Sequence, residues 1–252
     1  MQRVPWVMNV RRNADRLHFR EGNREIWRTF PAADRDEPFA GQPPFVRGFG
    51  VLENVTEDRL AARTSISEHS QRSTEVVTYV QEGTLAYEDS LGRSGITQAG
   101  QFQHTIVGNG VQQTQANASQ ASLARVFRLS LRLSNPDATP GLEQRRFSTA
   151  ERRGALCLVA SFDGRNGSLR MRQDVLVYSA IFGAGRRVVH ELPPHRQAWL
   201  HIVQGAVVLG ETILTAGDGA GLRGEHIISL TAREESEILV VELRTRANGL
   251  PQ

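Results

Sequence analysis

The residues between 68 and 117 include a small set of polar side chains whose types and spacing could support chemistry. His69 is followed two positions later by Gln71, and a Gly-x-Gly triplet at 108–110 ends three positions before Gln113, with Gln115 close behind. An imidazole can ligate a transition metal or act as a general base. A glutamine amide is neutral, donates and accepts hydrogen bonds, and binds cations only through its carbonyl oxygen. One histidine among glutamines therefore favours hydrogen-bonding chemistry.

Short β-rich runs separated by turns must position these side chains. In the first half of the chain they are Glu75–Gln81, Thr84–Glu88, Gly100–Val107 and Arg125–Leu133, and residues 89–94 read as a hairpin connection. Comparable runs return from Leu156 to Leu243. Many short strands at this spacing predict a β-sandwich or β-barrel.

A repeated sequence pattern indicates that the β unit is duplicated. The strand that ends at Gly83 leads through a hairpin to an Ala-Gly turn at Gly100, and the strand that ends at Gly205 leads likewise to Gly217. Glycine suits such turns because it reaches positive φ without steric cost. Two copies of one unit predict an all-β chain with two jelly-roll barrels.

The break between the copies lies in a turn-rich stretch at 134–141 and the charged residues that follow it. We predict an N-terminal domain over residues 1–137, a linker over 138–153 and a C-terminal domain over 154–252. A chain of 252 residues is long enough to give each domain a core of its own.

Composition argues against several classes of function. No apolar run approaches the ~18 residues of a membrane span, and the first residues lack the layout of a signal peptide. The single Cys157 cannot form an internal disulfide, which favours a reducing, cytoplasmic location. All 30 basic residues are arginines scattered among 27 acidic residues, with a net charge of +3. We therefore expect neither a membrane nor a nucleic acid as a direct partner.

Several motifs, in order, resemble the pirin family of bicupins. In the first half these are Arg72–Gly83 (RSTEVVTYVQEG), Tyr87–Gly92 (YEDSLG), Gly108–Val111 (GNGV) and Glu143–Phe147 (EQRRF). In the second half Gly167–Asp174 (GSLRMRQD), Ala198–His201 (AWLH) and Gly217–Ala220 (GDGA) are similar to the C-terminal domain of bacterial quercetinase-type pirins. The resemblance covers roughly residues 45–245 and implies two cupin barrels packed face to face.

The resemblance also implies a metal site in the N-terminal barrel. Members of the family usually hold iron or another divalent metal there with three histidines and one glutamate, and some oxidise quercetin with dioxygen. On this chain the first ligand position is His69. The other positions fall on Gln71, Gln113 and Gln115, where the family has His, His and Glu.

These three departures predict that no transition metal is tightly bound. Removing one outer hydrogen-bond partner of a metal ligand typically costs about 10–100-fold in affinity, and three lost ligands should cost far more. One imidazole and three amides also bring no formal charge to offset a divalent cation. We accordingly expect no cofactor, and the metal-dependent oxidation of quercetin would be lost with the metal.

Two alternatives remain open for the pocket of His69, Gln71, Gln113 and Gln115. It could be a structural relic with its amides hydrogen-bonded to one another, or it could bind a small organic molecule in an accessory or regulatory role. His104 joins this pocket if the face shared by Phe102, His104 and Ile106 points inward. Glu75 occupies the cupin glutamate position and is expected to hydrogen-bond nearby.

An enzyme remains the alternative to a binding protein. It would be either a quercetin 2,3-dioxygenase-like oxidoreductase that retains a metal or a metal-independent isomerase or cyclase with His69 as general base. The histidines of the second half, His190, His195, His201 and His226, lack the motif spacing and are expected to be structural or at the surface.

Overall fold

The computed structural model describes residues 7–31, 48–69, 73–108, 110–133, 135, 138–224 and 226–245, except the side chains of residues 68 and 69. Regular structure in these ranges is almost entirely β-strand. The strands are β1 (Val7–Arg11), β2 (Leu17–Glu21), β3 (Arg24–Arg28), β4 (Leu52–Leu60), β5 (Ser65–His69), β6 (Thr74–Glu82), β7 (Thr84–Asp89), β8 (Ser94–Gln98), β9 (Gln101–Val107), β10 (Gln112–Asn117), β11 (Ala124–Arg132), β12 (Gly141–Arg146), β13 (Cys157–Ser161), β14 (Leu169–Arg170), β15 (Val175–Phe182), β16 (Arg187–Glu191), β17 (Arg196–Gln204), β18 (Ala206–Leu209), β19 (Thr212–Thr215), β20 (Gly219–Arg223), β21 (Ile227–Ala232) and β22 (Ser236–Arg244). One short helix, α1 (Thr149–Arg152), and 3-10 turns at Asn13–Asp15 and Arg165–Gly167 complete the described elements.

The chain divides into two compact units. The N-terminal unit comprises Arg16–Ser148 and Ser168–Gln173, and the C-terminal unit comprises the described parts of Met1–Asp15, Thr149–Gly167 and Asp174–Gln252. The N-terminal unit contains one sheet in the order β12-β9-β6-β11-β4-β3-β2 and a second in the order β5-β10-β7-β8. In the C-terminal unit the strands run β1-β20-β17-β22-β15-β13 and β16-β21-β18-β19.

The two units repeat one strand order, which confirms the predicted all-β fold with two jelly-roll domains. Strands β9, β6, β11 and β4 occupy the same places as β20, β17, β22 and β15. Even the bulge recurs, because β11 skips Gln81 in its pairing with β6 and β22 skips Val203 in its pairing with β17. Positions in the two units can therefore be matched residue by residue.

The turn glycines of the repeated sequence pattern have the backbone conformation that the sequence predicts. Gly83 has φ of 80° and Gly205 has φ of 79°. A Cβ atom would lie 2.6 Å from the Leu123 carbonyl oxygen at Gly83, and 2.4 Å from that of Glu235 at Gly205. Both turns thus need glycine for backbone conformation and for space.

Two segments lie elsewhere than the sequence places them. Val7–Arg11, from the predicted N-terminal domain, pairs as β1 with β20 of the C-terminal unit. Gly141–Arg146, from the predicted linker, pairs as β12 with β9 of the N-terminal unit. Each supplies an outer strand to a long sheet, and an outer strand needs an apolar pattern on only one face. The mostly polar sequence of Gly141–Arg146 therefore gave no strand signal, and the five residues of Val7–Arg11 do not indicate which sheet they join.

The two interiors differ in polarity. A large cluster of buried apolar side chains fills the space between the sheets of the C-terminal unit, including Leu200, Ala220 and Val240. In the N-terminal unit Val80, Val126 and Leu60 of the long sheet pack against Leu85 and Ile66 of the short sheet. This cluster identifies the face of each strand that points inward. No described helix is long and apolar enough to span a membrane.

Candidate functional site in the N-terminal barrel

The predicted glutamines of β10 line the interior of the N-terminal barrel. Gln115 pairs across the short sheet with Ile66 on one side and Tyr87 on the other, and directly opposed residues share one face of a sheet. Ile66 packs into the interior apolar cluster, so Gln115 faces the same space. Gln113, two residues earlier, faces it as well, because side chains alternate along a strand.

An arginine that the sequence did not single out engages Gln115. The Oε1 atom of Gln115 accepts a hydrogen bond from Nη2 of Arg128, on β11 in the opposite sheet. Arg128 also donates through Nη1 to Oδ2 of Asp58, and Nε of Arg24 donates to Oδ1 of the same carboxylate at 2.6 Å. Arg24, Asp58 and Arg128 are all buried. Two guanidinium groups thus share one buried carboxylate inside the barrel.

A second polar group surrounds Gln113. Asp89, directly opposite Gln113, accepts hydrogen bonds from the Tyr87 hydroxyl, from the Leu91 amide at 2.9 Å and from Nε of Arg93 at 2.7 Å. Burial, followed by the hydrogen bond to Asp89, raises the pKa of Tyr87 above its usual value. Although burial raises the pKa of Asp89, its bonds to Tyr87 and Arg93 hold that pKa below normal. Tyr87 is consequently a neutral donor rather than a base or nucleophile.

On the described strands β9, β10 and β11, three buried donors that face the barrel interior have no hydrogen-bond acceptor among the described residues. They are Nε2 of Gln113, Nε of Arg128 and Nε2 of Gln103. The Gln113 amide lies near the Tyr87 hydroxyl and lowers its pKa, yet Nε2 completes no hydrogen bond. Gln103 is opposite Thr78, which is opposite Arg128, so these three residues form one row across the long sheet. The interior therefore offers more donors than the protein itself uses.

His104 and Glu75 lie outside this pocket, which corrects their predicted place in it. They alternate with Gln103 and with Thr78, whose side chains face the interior, so they point to the opposite face of the sheet. There Nε2 of His104 lies 2.7 Å from Oε1 of Glu75. The carboxylate of Glu75 also accepts the backbone amides of Arg172 at 2.6 Å and Gln173 at 3.0 Å. Glu75 thus holds a returning chain segment against the sheet.

The remaining predicted pocket residues fall at the limit of the described chain. Gln71 lies outside the described residues, and so does the side chain of His69. The backbone of His69 ends β5 and pairs with Gln112, next to Gln113. The predicted roles of these two residues stay predictions.

The described ligand positions do not fit a divalent transition metal. The oxygen that Gln115 could offer a cation already accepts a hydrogen bond from Arg128. The guanidinium would repel a divalent ion at that place by several kcal/mol even at an effective dielectric constant of about 20. Gln113 could offer a cation only the neutral oxygen of its amide, because its buried Nε2 is a donor and cannot ligate a metal. Among the described residues no three His, Cys, Asp or Glu side chains come together as a potential metal centre.

The C-terminal barrel has its polar cluster elsewhere. Nε2 of His190 lies 2.9 Å from Oε2 of Glu242, and the ring of His190 contacts the ring of Tyr178. Glu242 is also paired with Arg196, which donates to Asp174 at 3.0 Å. These contacts give His190 partners within the C-terminal unit, and the prediction that it is structural stays a prediction.

The sequence missed Arg24, Asp58, Gln103 and Arg128. Each lies on a β-strand, where a charged or amide residue is expected to face outward. The alternation in β11 contains a usable signal, because Arg128 follows the inward Ala124 and Val126 at the same period of two.

The chain matches known protein families and solved structures. Two family models match the chain, one described as Pirin over residues 23–129 and one described as Quercetinase C-terminal cupin domain over residues 158–243. A Pseudomonas aeruginosa protein is 31% identical over 94% of this chain and 100% of its own length. The quercetin 2,3-dioxygenase of Escherichia coli K12 is 29% identical over 94% of this chain and 99% of its own.

Solved structures agree with these matches. The crystal structure of YhhW from Escherichia coli is similar with a TM-score of 0.83 and 27% identity, over 96% of this chain and 100% of that one. The bacterial pirin YhhW in complex with nickel(II) gives a TM-score of 0.81 and 28% identity, over 94% and 99% of the two chains. Both halves of the fold are thus cupin domains.

Proposed function

The chain belongs to the pirin family, and from this premise we propose that its N-terminal cupin barrel is a metal-independent pocket for a small organic molecule. The protein then acts as a binding protein in an accessory or regulatory role. The observation that carries the proposal is the hydrogen bond from Arg128 to Oε1 of Gln115. This bond places a fixed protein cation beside a position where the resemblance implies a ligand to a metal.

The hydrogen-bond donors of the pocket also support a binding site for an organic molecule. A pocket of amides and guanidinium groups suits carbonyl, hydroxyl and carboxylate oxygens, all of which accept hydrogen bonds. It suits a cation poorly, because the buried guanidinium groups of Arg24 and Arg128 already lie beside Asp58. An organic molecule could satisfy the buried donors of Gln113 and Arg128 without any charge that the pocket must neutralise first.

Metal content tests the proposal directly. We expect the full chain, purified without chelators, to contain less than about 0.1 equivalent of iron, nickel, copper or zinc by elemental mass spectrometry. The matched control is a variant with Gln71→His, Gln113→His, Gln115→Glu and Arg128→Gln, which restores ligand types and removes the competing cation. That variant should take up metal when incubated with Ni²⁺ and then desalted. Close to one equivalent of a transition metal in the unmodified protein would overturn the proposal.

A second candidate function is a quercetin 2,3-dioxygenase-like enzyme. It is favoured by the Escherichia coli K12 protein of that name, which matches nearly the whole chain. Dioxygen consumption with quercetin, measured for the unmodified protein and for His69→Ala, separates the two. Turnover that is lost on that substitution and by metal chelation would favour the dioxygenase, and turnover that survives chelation would favour metal-independent catalysis with His69.

A further inference from the structure

An outer strand of the C-terminal unit carries an apolar side chain on its solvent face. β16 is the first strand of the sheet β16-β21-β18-β19 and pairs only with β21 among the described strands. Val188 of β16 belongs to the apolar core, so the next residue, Val189, points outward. Val189 is 53% exposed. Burial of such a side chain against another surface would be favourable.

The same strand presents backbone groups along its open edge. The amide of Ala232 on β21 donates to the carbonyl of Arg186 at 2.9 Å. Because backbone groups alternate in direction along an antiparallel strand, every second residue after Arg186 also directs its backbone groups towards β21. The residues between them direct their N–H and C=O groups away from β21: Arg187, Val189 and Glu191. Their side chains share the outer face, so one set of residues forms both the open edge and the exposed surface.

The fold does not require this composition at the edge. β5 occupies the place of β16 in the short sheet of the N-terminal unit. Ile66 of β5 points inward, as Val188 does in β16. The outward residues on either side of Ile66 are Ser65 and Ser67, which are neutral and polar. The charged and apolar side chains of β16 therefore need a reason other than the architecture.

The charges of β16 are arranged symmetrically about Val189. Arg187 lies two residues before it and Glu191 two residues after it, on the same face. Nε of Arg187 donates to Oγ of Ser229 at 2.6 Å, which holds the guanidinium against the outer face. No ion pair joins Arg187 or Glu191 to another residue of the described chain. Charged side chains on an outer strand commonly oppose pairing with another strand, but two opposite charges placed in this way complement an antiparallel copy of the same strand.

We propose that the protein forms a twofold symmetric dimer in which β16 pairs antiparallel with β16 of a second copy, centred on Val189. Arg187 of each copy then lies opposite Glu191 of the other, and the two Val189 side chains meet at the centre. The outward amides and carbonyls of the two strands hydrogen-bond to each other. Twofold symmetry uses the same edge of both copies and closes the assembly.

A second copy fits this edge better than an unrelated strand does. Any extended segment would satisfy the backbone groups, because strand addition depends on main-chain hydrogen bonds. Only a strand with a negative charge opposite Arg187 and a positive charge opposite Glu191 would also match the side chains, and β16 itself has that pattern. The inference concerns the C-terminal unit and does not depend on what the N-terminal pocket binds.

The oligomeric state of the full chain tests the proposal. Sedimentation velocity over protein concentrations from about 1 to about 200 µM should show a monomer that converts to a dimer, with a dissociation constant in the micromolar range. Hydrogen exchange with mass spectrometry adds a local readout. The amides of β16 should exchange more slowly at the highest concentration than at the lowest, whereas those of β5 should not change.

Reversal and exchange of the charges locate the interface. Arg187→Glu places two carboxylates opposite each other at both ends of the paired strands, and Glu191→Arg does the same with two guanidinium groups. We expect the dissociation constant to rise about 10-fold or more in each variant, because like charges directly opposite each other destabilise strand pairing. The double variant, Arg187→Glu with Glu191→Arg, should return to within about threefold of the unmodified protein. Glu211→Arg, an exposed change in the turn between β18 and β19, is the control for altered net charge and should have no effect.

Two proline variants test the backbone pairing. Val189→Pro removes an amide that points to the open edge and not to β21, a place where an outer strand tolerates proline. Ser67→Pro is the matched control in β5: the amide of Asn117 donates to the carbonyl of Thr64 at 2.9 Å, so the amide of Ser67 also points to an open edge. We expect Val189→Pro to be monomeric at every concentration and Ser67→Pro to dimerise like the unmodified protein.

Several results would overturn the proposal. They are a monomer at all concentrations, an assembly larger than a dimer, equal loss of the dimer in Ser67→Pro and Val189→Pro, and a dimer that both charge reversals leave unchanged. Failure of the double variant to recover the dimer would do so as well, because the two charges would then not face each other. If Val189→Pro does not fold, the charge-exchange series decides the question, since both of its positions are exposed.

Discussion

At the scale of single residues, Arg128 decides the character of the N-terminal pocket. It connects Gln115 on the short sheet with Asp58 on the long sheet. It also adds a positive charge to the pocket. In the C-terminal barrel Val240 and Ala180 stand at the positions of Arg128 and Asp58. The fold therefore accepts either a buried ion pair or two apolar residues there. The barrels therefore differ at these positions in residue type rather than in architecture.

A double-mutant cycle tests whether the ion pair acts as a unit. We expect Arg128→Val to destabilise the protein by about 2–4 kcal/mol, because it removes one of the two buried, hydrogen-bonded ion pairs of Asp58. Asp58→Ala should cost a similar amount, since it leaves two buried guanidinium groups together. The double variant, which copies the C-terminal barrel, should cost clearly less than the sum. Urea unfolding measures all three, and additivity within about 0.5 kcal/mol would show that the groups are independent.

At the scale of elements, buried charges on the other face of the long sheet hold three strands to one another and to the preceding turn. Glu57 on β4 accepts hydrogen bonds from Arg125 on β11 at 2.8 Å and from Arg16 at 3.1 Å. Although burial raises the pKa of Glu57, Arg125 and then Arg16 lower it to about 2 from a usual 4.5. The ionised form is therefore the one that the folded state stabilises.

The pH dependence of stability follows with a definite sign. A carboxylate whose pKa is lowered by folding contributes stability above its unfolded pKa and loses it as the pH falls towards its folded pKa. For Glu57 that window runs from about 4.5 to about 2, and the contribution is on the order of 3 kcal/mol. We expect Glu57→Gln to be less stable than the unmodified protein at pH 7, with the difference shrinking across this window.

Urea unfolding at pH 7, 4 and 3 measures this difference, and Glu88→Gln, an exposed change on β7, is the control. A Glu57→Gln deficit that stays constant from pH 7 to pH 3 would mean that the side chain acts by packing and not through its charge.

At the scale of the whole molecule, the first described strand completes the C-terminal unit. β1 pairs with β20, Nη1 of Arg12 lies 3.0 Å from Oδ2 of Asp218, and the amide of Asn13 lies 2.7 Å from Oδ1. β12 holds the equivalent place beside β9 in the N-terminal unit. The C-terminal unit thus takes this outer strand from outside its main run of sequence, whereas β12 lies at the end of the main run of the N-terminal unit.

Removal of residues 1–15 tests this arrangement. We expect faster amide hydrogen exchange in β20 and β17, because β20 becomes an outer strand and loses its partner. Exchange in β9 and β6 should stay unchanged. Hydrogen exchange with mass spectrometry reads both regions in one sample, and faster exchange in β9 rather than in β20 would contradict the pairing of β1.

Much of the fold could be predicted from local patterns. The strand around Thr84–Asp89, its hairpin and the glycine turns at Gly83 and Gly205 are local features, each fixed by alternation or by a backbone conformation that few residues reach. Duplication of these features was enough to predict two jelly-roll domains. β12 escaped prediction because an outer strand with polar residues differs little from a loop in sequence, and β1 because nothing in its five residues indicates which sheet it joins.

The candidate site was predictable only in part. Gln113 and Gln115 could be placed together because they lie two residues apart on one strand. His104 was assigned to the pocket on a condition, that its face points inward, and alternation alone gives two faces without saying which is inside.

The sequence by itself determined the duplicated β architecture, because this depends on residue identity and local spacing. It also has glutamine at three positions where the family resemblance implies metal ligands. Only the tertiary structure decided which side chains share the interior. Asp58 and Arg128 are 70 residues apart in the chain and meet because β4 and β11 pair in one register. A shift of that register by one residue would turn Asp58 or Arg128 to the outer face, and the buried charge that defines the pocket would no longer exist.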